Sequence, residues 1–134
     1  MFRTRLLGLL LLPTLVLLMG FRQAPLSDPS PIAIPATLDA AQAESAIKRA
    51  LVKRQWVINS DEPGKILATY ARREFSVQIG IDYDRKHVQI RYVSSTGLKY
   101  EVQKNGERLI HKNYMAWVQN LVTDISGNLT TSGI

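Results

Sequence analysis

The run Phe75–Tyr83 constrains the fold more than any other part of the sequence. Phe75, Val77, Ile79, Ile81 and Tyr83 alternate with Ser76, Gln78, Gly80 and Asp82. Successive strand side chains point to opposite faces, so this pattern predicts a strand with one oily and one wet face. Asp84-Arg85-Lys86 supplies a turn, after which Val88, Ile90 and Tyr92 alternate with Gln89, Arg91 and Val93. So short a connection joins antiparallel neighbours, because a parallel crossover needs a dozen residues or more. A sheet that is apolar on one face must be covered by something else in the chain.

Two amphipathic segments can provide that cover. Tyr114, Trp117, Val118, Leu121, Val122 and Ile125 recur at helical spacing, which predicts a helix with Trp117 in the core. Gly127 suits the position just past its end, and the chain after Leu129 is expected to fray. Upstream, Thr37 is a good N-cap, Asp39 falls in the first turn, and Ala43, Ile47, Ala50 and Leu51 share one face. A first helix is therefore expected over 38–54. Between the helices, Trp56-Val57-Ile58-Asn59 and 65–72 read as strands. Asp61-Glu62-Pro63-Gly64 and Arg73-Glu74 read as turns. Residues 94–110 look irregular, with a short strand over 98–102 and a tight turn at Asn105-Gly106. The expectation is an α+β fold, a two-layer sandwich of helix, four-stranded antiparallel meander and helix. It covers residues 37–130, with 131–134 as a disordered tail. A chain of 134 residues has room for one such domain.

The N-terminus has a different composition. Arg3 and Arg5 precede an uncharged, Leu-rich run over 6–20. A basic start followed by a short apolar run is the layout of a secretory signal, and 1–21 is read as a signal peptide or N-terminal membrane anchor. Fifteen helical residues span roughly 22 Å, short of the ~30 Å hydrocarbon core, which favours the signal. Cleavage after Ala24 would put Arg22 three residues before the cut, and cleavage after Gly20 would put Leu18 there, whereas signal peptidase prefers small residues. Four of the six prolines, at 25, 29, 31 and 35, fall in 22–36. Proline removes backbone donors and fixes φ, so this stretch is expected to be a semi-rigid extended spacer. The implied location is the periplasm, or the periplasmic side of an inner membrane.

Composition removes several chemistries. Cysteine is absent, so disulfides, thiolate metal sites, Cys nucleophiles and a lipid-modified Cys are excluded. Asp82, Asp84 and His87 could gather around a divalent cation, but Arg85 and Lys86 intervene, and the stretch reads as a polar turn. Ser94, Ser95 and His111 suggest a hydrolase, but there is no Gly-x-Ser-x-Gly elbow. Ser95 reads as a turn cap and His111 as the start of the second helix. No catalytic residue, metal ligand or cofactor is assigned.

The net charge is +6. Lys48, Arg49, Lys53 and Arg54 crowd the end of the first helix, followed by Arg72-Arg73, Arg85-Lys86, Lys104, Arg108 and Lys112. With a leader for export and no recognition motif, nucleic acid is set aside. Anionic membrane or cell-wall surfaces fit such a domain better. Tyr92, Tyr100, Tyr114 and Trp117 form an aromatic cluster that could line a groove for a glycan or peptide, with the core as the competing reading, above all for Trp117.

The run Tyr92-x-x-Ser95-x-x-Leu98-x-Tyr100, with Ile110-His111-x-x-Tyr114-x-x-Trp117-x-x-x-Leu121, resembles a group of uncharacterised proteobacterial envelope proteins that are often lipoproteins. Trp56 and Gly64-Lys65-Ile66-Leu67-Ala68 match the same pattern, which covers most of 37–127. The resemblance implies an exported or tethered α+β domain and supplies no catalytic residues. The chain departs from it at Phe21, which stands where a lipobox cysteine would be acylated. The expected role is a non-enzymatic exported protein, acting as a protein-interaction or assembly accessory domain on another envelope protein. The alternatives are a glycan- or peptide-binding module and, less favoured, a hydrolase. The expected interaction surface is Tyr100, Tyr92, Ser95, His111, Lys48, Arg49, Lys53 and Arg54.

Overall fold

A computed structural model describes residues 23–132. The leader over 1–21 lies outside the described residues, as do the last two residues of the expected tail. In chain order the elements are β1 (Gln23–Pro25), β2 (Ile32–Ala33), α1 (Ala40–Lys53), β3 (Val57–Glu62) and β4 (Lys65–Arg72). They continue with β5 (Phe75–Tyr83), β6 (His87–Thr96), β7 (Glu101–Val102), β8 (Arg108–His111) and α2 (Lys112–Thr131).

The fold is α+β, with two helices and an antiparallel sheet of five strands in the order β2-β6-β5-β4-β3. Its register aligns the apolar positions into rows. Ile66 pairs with Ile81 and Ile81 with Ile90, while Ala68 pairs with Ile79 and Ile79 with Tyr92. These isoleucines are fully buried, whereas Thr69, Gln78 and Ser94 share the opposite, wetter face. The helices complete the core with Ala43, Ala46, Ile47, Ala50 and Leu51 of α1 and Tyr114, Val118, Leu121, Ile125 and Leu129 of α2. The three alanines let the helices approach closely, and the Asn128 side-chain amide donates to the Ala46 carbonyl at 3.0 Å.

Both helices are set by caps that differ from those expected. Asp39, not Thr37, is the N-cap of α1: its carboxylate accepts from the Gln42 N–H at 2.8 Å, and the Asp39 N–H donates to the Gln42 side chain at 2.9 Å. This reciprocal box satisfies two otherwise orphaned donors, which a threonine two residues earlier cannot do. At the other end Gln55 takes φ +66°, Gln55 N–H donates to Val52 and Trp56 N–H to Leu51. That is a Schellman stop, with buried Trp56 packing where its hydrophobic contact belongs. Helix α2 does not stop at Gly127 but runs through it to Thr131. A mid-helix glycine costs about 1 kcal/mol, and burying Leu129 outweighs it.

Of the expected spacer over 22–36, the described part, 23–36, does not stand off from the domain. β1 pairs with β8, Leu26 N–H donates to Arg108, the Asp28 carboxylate accepts from the Tyr92 N–H, and β2 pairs with the start of β6. Gln89 donates to the Pro29 carbonyl, and Leu26, Ile32, Ile34 and Leu38 are buried. The segment is a strap along the outer side of β6. Its prolines are compatible with this because it occupies sheet margins, where a missing N–H is tolerated. The expected four-strand layout is thereby corrected: a fifth strand comes from the strap, and β1, β8 and β7 form a second, three-stranded sheet.

Candidate interaction surfaces

The aromatic cluster is assembled by a bulge. The β5–β6 register slips between Gln78 and Ile79, leaving Val93 as the extra residue of β6. A bulge shifts the facing of all that follows, so Ser94 lies opposite Gln78 on the wet face, and Ser95 lies opposite Val77 on the same side as Tyr92. The Tyr92 hydroxyl and Ser95 Oγ are 2.7 Å apart. Tyr100 stacks on Tyr92 with ring centroids 4.6 Å apart, and Tyr114 meets Tyr92 edge-on at 5.7 Å. Burial pushes the Tyr92 and Tyr114 hydroxyls above the ordinary phenol range. Tyr100 is the exposed member of the group.

His111 does not join this group. It is the N-cap of α2, accepting from the Asn113 N–H on Nδ1 at 3.1 Å, and its ring lies 6.3 Å from that of Phe75. Ser95 is bonded to a phenol and His111 to a backbone amide, so nothing in this geometry makes a serine–imidazole pair. At the β5–β6 turn Asp82 pairs with Arg91 at 2.7 Å across Gly80, whose missing side chain leaves room for the guanidinium. Asp84 accepts from the Lys86 and His87 N–H groups, which holds its carboxyl below the usual range. Among the described residues there is no group of three His, Cys, Asp or Glu placed to hold a metal ion.

The cations of α1 are mostly engaged within the protein. Lys48 bridges to Glu44 at 2.8 Å and to Asp61 of β3. Arg49 donates to Ser132 Oγ at 3.1 Å, and Arg54 forms a two-pronged pair with Asp124 at 2.7 and 3.3 Å. This pair raises the Arg54 guanidinium and lowers the Asp124 carboxyl. Lys53 has no ion pair among the described residues. Lys48, Arg49 and Arg54 therefore brace α1 against β3 and α2, and among the described residues Lys53 alone of the four is left without such a tie.

Two features were missed by reading the residues alone. Trp117 is half-buried rather than core, because it flanks the stripe that runs from Tyr114 through Leu121 to Leu129. Its ring meets Tyr70 edge-on at 5.0 Å, and Tyr70 leans on Trp56 at 5.4 Å. Shallow clefts lie on either side of Trp117. One, of about 200 Å³, is lined by Arg54, Trp56, Tyr70, Arg72 and Asn120; the other, of about 230 Å³, by Arg72, Arg73, Phe75 and Asn113. Both are below the ~300–1,000 Å³ of small-molecule pockets. The second missed feature is the β3 edge. Among the described residues β3 has a neighbour on one side only, and Val57 on it is 64% exposed, with Val52 at the end of α1 at 65%.

No family model, curated protein or solved structure matches this chain. Among the described residues no helix is long and apolar enough to cross a membrane.

Proposed function

We propose that this chain is an exported, non-enzymatic accessory domain of a bacterial cell envelope, of the lipoprotein-like kind it resembles, that acts by contact with another envelope protein. The observation that carries this reading is the open β3 edge. An unpaired edge offers backbone donors and acceptors to an added strand, and alternate side chains give such docking its specificity. Val57 supplies an apolar contact beside the edge. The Asn59 bulge between Ile58 and Ser60 interrupts the edge, and Glu62 would meet like charge on a second copy, so a strand of complementary charge is favoured over self-association. The tied Ser95 and His111 side chains support contact rather than turnover.

The chain lacks cysteine, so a single Val57→Cys carries a photoactivatable cross-linker without ambiguity. The expected result in envelope extract is one dominant adduct from position 57 and none from Arg85→Cys on the β5–β6 turn. Retention of that partner should fall about tenfold in Val57→Lys, in which an edge charge opposes strand addition. Equal labelling from both positions would overturn the edge as the docking surface.

A further inference from the structure

The strap fixes where the leader departs from the domain. Gln23 lies opposite His111, and its side-chain amide donates to the Lys99 carbonyl at 2.8 Å. Phe21 and Arg22 alone separate it from the apolar run that ends at Gly20. At ~3.3–3.6 Å per extended residue, a three-residue connection reaches at most roughly 11 Å. A leader held in a bilayer therefore brings one particular end of the domain to the headgroups.

That end can be traced contact by contact. His111 leads into Lys112 and Asn113 at the start of α2, and its N–H donates to the Leu98 carbonyl. Its ring faces Phe75, which follows the Arg72-Arg73-Glu74 turn, and Gly97 packs against the Glu74 carbonyl, where a Cβ would meet that oxygen at 2.4 Å. Arg72, Arg73, Lys99 and Lys112 are all exposed at this end, with Glu74 as the carboxylate among them. None of the four cations makes an ion pair among the described residues, in contrast to Lys48, Arg54 and Arg91. Arg73 and Lys99 hold φ of +56° and +53°, a conformation that glycine adopts more readily, so two cations occupy strained turn positions. Trp117 lies behind Arg72 and Arg73, and tryptophan favours the membrane–water boundary.

We propose that the end bearing Arg72, Arg73, Lys99 and Lys112 rests on the anionic headgroups of a phospholipid bilayer, oriented by the adjoining leader. This rests on the reading that the chain is exported and adds that its leader stays in the membrane. The full chain is reconstituted in phosphatidylglycerol-containing or pure phosphatidylcholine vesicles, with a fluorophore on Glu74→Cys or, at the far turn, Arg85→Cys. Lipids carrying a headgroup quencher report proximity. The expected result is flotation with both vesicle types, quenching at position 74 above that at 85 on both because of the tether, and a 74-to-85 ratio about threefold larger on anionic vesicles. High salt, or Arg73→Gly with Lys99→Gly, should bring the ratio on anionic vesicles down toward that on neutral ones; glycine suits both turns, so melting temperature should hold. Flotation with equal quenching at 74 and 85, or with the same ratio on anionic and neutral vesicles, overturns this proposal alone. Failure to float with any vesicle overturns membrane retention of the leader and this proposal together.

Discussion

Trp117 shows how a single residue can be misread by periodicity. It falls at i+3 from Tyr114, and a broad stripe would include it, but the buried set 114, 118, 121, 125 and 129 is narrower and leaves it at the margin. Trp117→Ala is therefore expected to lose about 1–3 kcal/mol, less than the ~3–5 kcal/mol of a fully buried tryptophan, and to melt cooperatively. A denaturant titration measures this. Asp124 gives a prediction in pH. Arg54 holds its folded-state carboxyl below the ordinary value, so the stabilisation is present above the unfolded value near ~4 and is lost as pH falls through the lower folded one. Melting temperature followed from about pH 6 to about pH 2 should show a shallower acid limb in Asp124→Asn than in the parent.

At the scale of elements, regular patterns were legible and their ends were not. The alternation over 75–83 became β5 with the same bounds, and the 65–72 strand did likewise, because one face of each is buried and register is then strongly specified. The N-cap of α1 was legible in principle, since Asp39 and Gln42 stand at capping-box spacing, but Thr37 competed as a cap-former. The end of α2 was misplaced because Gly127 is a common stop signal and the pull of Leu129 lies beyond it. Gly127→Ala meets nothing within 4 Å, so it should stabilise by about 0.4–1 kcal/mol. Leu129→Ala should destabilise by about 2–5 kcal/mol, which a frayed tail could not show. Parallel thermal melts of the two variants check both signs.

For the molecule as a whole, the strap was the least legible feature. Its strands are two or three residues long and proline-flanked, and its partners β6 and β8 lie far downstream, so no local pattern marks them. The candidate surface was legible in part: Tyr92, Ser95 and Tyr100 do come together, but through a bulge that periodicity does not reveal, and His111 is elsewhere. Burying Leu26, Ile32 and Ile34 contributes roughly 1.5–3 kcal/mol each, comparable in sum with a typical domain's ~5–15 kcal/mol. A chain starting at Pro35 should therefore lose its cooperative melt, read by circular dichroism. A transition within a few degrees of the parent would show that the strap merely lies on the surface.

The pairing of Gln23 with His111 also bears on when the molecule can close. A polypeptide leaves the ribosome from its N-terminus, so the first described strand waits in solution for one of the last. Until β8 emerges, β1 has no partner, and until β6 is made the apolar side chains of the strap have nowhere to go. Late completion of this kind keeps a nascent chain threadable, which is the state in which a protein can be passed through a narrow membrane channel.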